Sequence, residues 1–237
     1  MAAGPHDRAA DIIIPVHNHF ACTRNLLQAV YRYTDFPFHL YLIDNNSTDE
    51  TVELEKIYTR SITVVRNPQG QGWGASLNQG IRLGCSPQVI ILSNHAGIYR
   101  GWLGRLVEFL ESHPRIAAVG PLTSDPAVGQ CVDRVRQGAV PQVPLFLSSD
   151  PDQRSQILRY HFDDTGILIE SDLGFFCIGL KRRAIIEVGP FEETDGADEG
   201  ARDYCRRLRQ AGYVLGLSLG TYVLHPLCST PGTGDRT

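Results

Sequence analysis

No apolar run in this sequence approaches the roughly 20 residues that a membrane-spanning helix requires, and the stretch from Met1 to Ala10 lacks the apolar core of a signal peptide. The chain is therefore expected in the cytoplasm, without an integral membrane segment. Nor is there an excess of positive charge: 22 Lys and Arg stand against 26 Asp and Glu, a formal net charge of -4. Bulk electrostatics thus disfavours nucleic acid or an anionic membrane as partner, and any handling of phosphate must be local. Lysine occurs only at Lys56 and Lys181, a bias towards arginine that nothing in the sequence explains. The six cysteines include no C-x-x-C pair, which fits reduced, mostly buried thiols rather than a disulfide framework or a zinc site. Internal repeats and low-complexity tracts are also missing.

What is present is enough to bury one sizeable core: 237 residues, 42% of them hydrophobic. Asp11 to Val16 is short, β-branched and interrupted by Pro15, as expected of a strand buried on both faces. Cys22 to Tyr33 sets Leu26, Leu27, Val30 and Tyr31 on one helical stripe. His39 to Asp44 predicts a second strand, Glu50 to Tyr58 a helix, Thr63 to Arg66 a third strand. A glycine-punctuated turn from Asn67 to Gly74 then leads into a helix through Leu77 and Ile81, and Val89 to Leu92 is a fourth strand. Alternation of this kind predicts right-handed βαβ units, a mostly parallel sheet flanked by helices in one α/β domain, and ligands at the strand carboxyl ends.

After a helix from Gly101 to His113 and a strand from Ile116 to Gly120, the apolar periodicity fades between Pro121 and Pro151. The reading there is a long loop or small lobe, suited to an acceptor or serving as a linker. Regular structure is expected again over Gly166 to Ile178, in helices from Lys181 to Val188 and Arg202 to Ala211, and in two strands around Val214 to Leu217 and Thr221 to Leu224. The organisation is an amino-terminal half over 11–120, a loop or insertion over 121–165, a carboxyl-terminal half of the same domain over 166–228, and a frayed tail over 229–237.

Four ordered segments resemble the family 2 glycosyltransferases of GT-A fold, nearest in feel to bacterial rhamnosyltransferases and O-antigen transferases. They are Ile14-Pro15-Val16-His17-Asn18, then Ile43 through Asp49, then Asn67-Pro68 through Trp73-Gly74 to Gly80, and Ile91-Leu92-Ser93-Asn94-His95 followed by Gly101-Trp102-Leu103. The likeness continues through Gly189 to Glu193, Asp203 to Leu208, Ala211-Gly212-Tyr213, and His225 with Ser229. It implies transfer of a sugar from a nucleotide-diphospho-sugar, of UDP or dTDP type, to a hydroxyl on a saccharide, lipid-linked or protein acceptor, with inversion, in glycan or cell-surface polysaccharide assembly.

The resemblance also implies residue roles, each with a plainer alternative. Asp44 would accept a hydrogen bond from the imide N–H of uracil or thymine, or merely open the turn. Asp49 reads as a helix cap. Pro15, Val16 and Asn18 would line the base and ribose, or supply ordinary turn chemistry. Asn67 and Asn78 would offer amides near the nucleotide, Ser93 would hold ribose, and Asn94 would belong to the same nucleotide-binding set. Where family members carry two acidic residues for ribose and a divalent cation, this chain has Ser93-Asn94-His95. Animal polypeptide N-acetylgalactosaminyltransferases, similar in fold, place His at the last position of that motif and add a distant second His. By that likeness His95 and His225 form a ligand pair suited to Mn2+ more than Mg2+, the alternative being a metal-independent site.

Inverting members use a carboxylate as general base, yet in ungapped register from Phe191 their Glu-Asp pair falls on Gly200 and Ala201. Glu199, Asp198 and Asp203 are the candidates in its place. The missing acids leave a second reading, a catalytically attenuated nucleotide-sugar-binding domain. Phe175 and Phe176 read as core, or as a face for a sugar ring.

Overall fold

In the computed structural model, which describes residues 9–138, 140–141, 148–163, 165–193 and 196–225, strands and helices alternate through the amino-terminal half. The order is β1 (Ala10–Val16), α1 (Phe20–Tyr33), β2 (Phe38–Asn45), a 3-10 turn (Glu50–Glu53) running into α2 (Leu54–Ile57), β3 (Ile62–Asn67), α3 (Trp73–Leu83), β4 (Gln88–Leu92), α4 (Trp102–Ser112) and β5 (Ile116–Leu122). There follow α5 (Val132–Gln137), α6 (Pro151–Phe162), β6 (Gly166–Ile169), β7 (Cys177–Lys181), α7 (Arg182–Val188), α8 (Ala197–Gln210) and β8 (Val214–Tyr222). All eight strands join one sheet, in the order β3-β2-β1-β4-β7-β5-β8-β6. The pairs β1/β2, β1/β4, β2/β3 and β5/β8 are parallel, while β7 runs antiparallel between β4 and β5, and β6 antiparallel on the edge beside β8.

The sheet is covered on both faces, as its continuous apolar strands require. One layer packs α1 and α4 against it, through Leu26, Leu27, Val30, Trp102, Leu106 and Leu110. The other packs α3, α7 and α8, through Leu77, Ile185, Tyr204 and Leu208. At the edge a smaller cluster gathers Val132, Val135, Leu158, Phe162 and Tyr222.

Several sequence expectations change in detail. Residues 121–165 carry two helices: Asp150 caps α6 by accepting from the Asp152 N–H at 2.9 Å, with Pro151 at the first helical position. The helix expected over Glu50 to Tyr58 is a 3-10 turn and a single α turn, because only Thr51 and Leu54 of it are buried against the domain and Ile57 is exposed. The two terminal strands are one, β8, whose register against β5 slips between Pro121 and Leu122. There Gly220 lies against the Phe162 carbonyl, where an added Cβ would come within 2.5 Å. Helix α8 starts at Ala197 rather than Arg202. Cys85, Cys131, Cys177 and Cys205 are free, and Cys228 and the 229–237 tail lie outside the described residues.

The strand ends opposite the carboxyl edge are tied by one buried ion pair. Asp11, 1% exposed, accepts from Arg182 Nη2 at 2.7 Å and from the Ser86 N–H and hydroxyl at 2.9 and 2.8 Å. Next to Arg182, Lys181 is buried and donates from Nζ to the His113 carbonyl at 2.6 Å. Burial, helped by Arg183, pushes its pKa down from 10.5 to about 8. The folded chain therefore holds fewer protons than the unfolded chain between about pH 8 and 10.5, so this residue's contribution to stability rises with pH across that window. Melting temperatures taken over that range are expected to rise less, or fall more, in Lys181→Met than in the parent chain.

Candidate active site

At the carboxyl edge the loops that follow β1 and β2 are stitched together by their own polar side chains. The Asn18 N–H donates to Ser47 Oγ at 2.8 Å, and the Thr48 N–H donates to Asn18 Oδ1 at 2.8 Å. His17 Nδ1 meets the Asn45 carbonyl at 2.8 Å. Asn18 and His19 both adopt positive φ, 57° and 61°. Asparagine tolerates that region and histidine is enriched in it, so the chain reverses there without glycine. Asp49 secures the reversal: its carboxylate accepts from the Phe20 N–H at 2.9 Å, at the start of α1, and from the Thr51 N–H at 3.0 Å. Burial alone would raise the Asp49 pKa, but the hydrogen bonds from Thr51 and Phe20 outweigh it and hold the group below its ordinary value.

Asp44 ends β2 beside this loop and is buried. Its Oδ1 accepts from the Ser47 N–H at 2.9 Å and its Oδ2 faces Arg66 Nε at 3.5 Å. Asn67, at the end of β3, exchanges two amide hydrogen bonds with Gln79, both 3.0 Å, and donates to Asn45 Oδ1 at 2.9 Å. Asn78 on α3 clasps the Phe191 backbone, donating to its carbonyl at 2.8 Å and accepting from its N–H at 2.9 Å. Both asparagines thus spend their amides within the protein, joining α3 to β3 and to the segment ahead of α8.

That junction leaves no room at Gly74, where an added Cβ would fall 1.8 Å from the Glu192 carbonyl oxygen. Gly74→Ala, favoured by helix propensity alone, is expected to destabilise the fold by about 1–3 kcal/mol because two backbones must part. Chemical denaturation measures it.

Between β1, β4 and the start of α8 opens a cavity of about 240 Å³, lined by Pro15, Trp73, Ser93, Asn94, Phe175, Phe176, Asp198 and His225, among others. Ser93 Oγ accepts from the His95 N–H at 3.2 Å, and Asn94 Nδ2 donates to Thr23 Oγ1 at 3.2 Å. His225 stacks on Phe176 with ring centroids 4.9 Å apart and turns Nδ1 to Asp125 Oδ2 at 3.1 Å. The His95 ring meets His19 edge to face at 4.9 Å. Burial pushes the His95 pKa below its ordinary value, and His19 and His225 push it the same way, which favours the neutral imidazole.

The structure separates the three acidic candidates. Asp198 faces the cavity, whereas Glu199 and Asp203 line a different, charged hollow with Asp172, Arg202, Arg206 and Arg209. Asp203 is also bound by Arg206 and by Arg207 Nε at 2.7 Å. Val16, Asn18, Asp44, Asn67, Asn78 and His95 are not among the residues that line the cavity. Trp73, His19 and Asp125 carried no assignment from sequence. His19 lies one residue beyond a motif already singled out, while nothing local marks Asp125, whose partner is 100 positions away. Phe175 and Phe176 serve both readings, buried yet lining the cavity.

The family model for glycosyl transferase family 2 matches residues 11–188. The chain belongs to that family. A PGL/p-HBAD biosynthesis glycosyltransferase of Mycobacterium bovis is 28% identical over 106 residues, 43% of this chain and 41% of the relative. An uncharacterized glycosyltransferase of Haemophilus influenzae is 27% identical over 105 residues, 44% of this chain and 35% of the relative. The chain thus spans well under half the length of the curated relatives it matches. Among solved structures, the mannosyltransferase PcManGT from Pyrobaculum calidifontis, in complex with GDP-Man and Mn2+, superposes with a TM-score of 0.66 at 16% identity, over 95% of this chain and 58% of its own. GalNAc-T7 with UDP, GalNAc and Mn2+ superposes with a TM-score of 0.65 at 14% identity, over 92% and 44%. Both share the GT-A fold, and within the family's architecture the cavity lies where the parallel strands end.

Proposed function

We propose that this domain transfers a glycosyl group from a nucleotide-diphospho-sugar to an acceptor hydroxyl, with inversion, in glycan or cell-surface polysaccharide assembly. The observation that carries the reading is the convergence of Pro15, Ser93, Asn94, His225 and Asp198 on one cavity at the sheet's carboxyl edge. Asp44 on β2 lies two strands from β4, about 10 Å at the usual strand spacing. That span suits a base near Asp44 and a diphosphate near Ser93 to His95, with a UDP- or dTDP-type donor. Asp198 takes the proton of the acceptor hydroxyl as its oxygen attacks the anomeric carbon, the bond to the diphosphate breaks, and the nucleoside diphosphate leaves.

The residues present fit a divalent metal. Among the described residues no group of three or more His, Cys, Asp or Glu is placed to hold an ion unaided, so donor oxygens must complete any shell. The surroundings of His95 favour its neutral form, the form a ligand needs, and Asp125 meets His225 at Nδ1 as outer-shell carboxylates do. His95 and His225 would hold the ion, and Mn2+, present in both structural neighbours, suits imidazole better than Mg2+. Such an ion supplies charge neutralisation at the departing diphosphate.

Release of nucleoside diphosphate from a donor panel including UDP-, dTDP- and GDP-sugars, with Mn2+, Mg2+ or chelator, tests the activity. No turnover with any donor and acceptor pair would count against it. His95→Ala is expected to abolish stimulation by Mn2+, and an unchanged metal response would remove the ligand assignment. The second reading, a donor-binding domain without catalysis, is favoured by Ala201, buried in the core where the family places an acid. Calorimetric donor binding without turnover would select it.

A further inference from the structure

A larger cavity, about 720 Å³, shares no lining residue with the first and lies between the end of α1, the loop entering α4, and α6. Arg32, Arg100 and Arg159 reach it from those three elements, with Tyr33 and Tyr160 at its walls. Arg32 rests on the Tyr33 ring at 5.3 Å, but none of the three guanidiniums has a salt bridge or a hydrogen bond among the described residues. The two carboxylates lining the same cavity are already engaged. Asp163 faces Arg105 at 3.8 Å, and Asp152 accepts from Gln156 at 3.0 Å within the first turn of α6, where negative charge is favoured. Burial lowers the pKa of the neighbouring Arg105, and Arg159 adds to the shift against the opposing pull of Asp163, Asp35 and Glu108.

We infer that this cavity is a second binding site, for a phosphate-bearing ligand, distinct from the donor cavity. Three exposed guanidiniums converge from separate elements without an ion-pair partner among the described residues, and they outnumber the two carboxylates of the same lining. A carboxylate satisfies one arginine fork, whereas the tetrahedral oxygens of a phosphate or diphosphate can engage several at once. One loop borders both cavities: leaving Ser93 and Asn94, it pairs Gly97 with Leu224, next to His225, before reaching Arg100. The inference does not depend on the transferase reading, since it concerns binding alone.

Isothermal titration with inorganic pyrophosphate, in chelator so that metal-dependent binding at the donor site is silent, provides the test. One site is expected in the parent chain and in His95→Ala. Arg100→Ala and Arg159→Ala, both exposed and expected to melt as the parent does, should each raise Kd by about tenfold or more. Co-sedimentation with phosphatidic acid vesicles, against phosphatidylcholine vesicles, separates the sources. Retention by the former that is lost in the Arg100→Ala/Arg159→Ala double variant identifies a lipid headgroup; pyrophosphate binding without retention identifies a soluble phosphate. Absence of both, or pyrophosphate binding lost in His95→Ala and untouched by the arginine changes, overturns the inference.

Discussion

Asp198→Asn is expected to lower kcat for glycosyl transfer by about 10²–10⁴-fold, the usual contribution of a general base, with donor affinity nearly unchanged. The isostere keeps the helix start and the shape of the cavity and removes only the ability to take a proton. Glu199→Gln is the matched control. Successive helical residues differ by about 100° in direction, so Asp198 and Glu199 cannot both face the acceptor, and the two carboxylates line separate hollows. Turnover in Glu199→Gln should therefore stay near that of the parent. Asp203→Asn should act on stability instead, since that carboxylate is held by Arg206 and Arg207 at 11% exposure. Steady-state rates for the three variants against one donor and acceptor pair decide the matter. Activity preserved in Asp198→Asn and lost in Glu199→Gln would reverse the assignment.

The amino-terminal half was readable because its physics is local. A strand buried on both faces must be continuously apolar, and the helices between strands show one apolar stripe each, so β1 to β5 fall within a few residues of where the pattern puts them. Helix α6 escaped for the opposite reason. Of its 12 residues only Ser155, Leu158 and Phe162 are buried, too thin a stripe to read, although Asp150-Pro151 is a sound helix start. The slip that merges two expected strands into β8 depends on what Gly220 meets across the fold, which no local pattern encodes.

The site divides in the same way. His95 and His225 were paired by resemblance, and the fold gives that pair physical neighbours, His19 and Asp125, that lie far from one another in sequence. The choice among three acids was not legible, because it turns on where α8 begins. A start at Ala197, five residues earlier than the apolar stripe suggests, puts Asp198 in the first turn and leaves Gly200 and Ala201 packed inward.

Arg182→Met is expected to cost about 3–5 kcal/mol of folding stability, the penalty for leaving a buried charge without its partner. Asp11 is 2% exposed at its side chain and Arg182 16%, so water cannot replace the lost guanidinium. The substitution also strands the Ile81 and Ser86 carbonyls, which accept from Arg182 at 2.8 and 2.6 Å. Through these contacts one side chain locks the start of β1, the turn before β4 and the start of α7. The pair sits at the far end of the sheet from the cavity, so Arg182→Met should leave KM for the donor unchanged at temperatures where the variant is folded. Asp11→Asn keeps the Ser86 contacts while removing the charge, so combining it with Arg182→Met should cost 1–3 kcal/mol less than the two single losses added, roughly the coupling expected of side chains in contact. Additive losses in urea denaturation would mean that the two residues act through their separate backbone contacts and that the ion pair itself stabilises nothing.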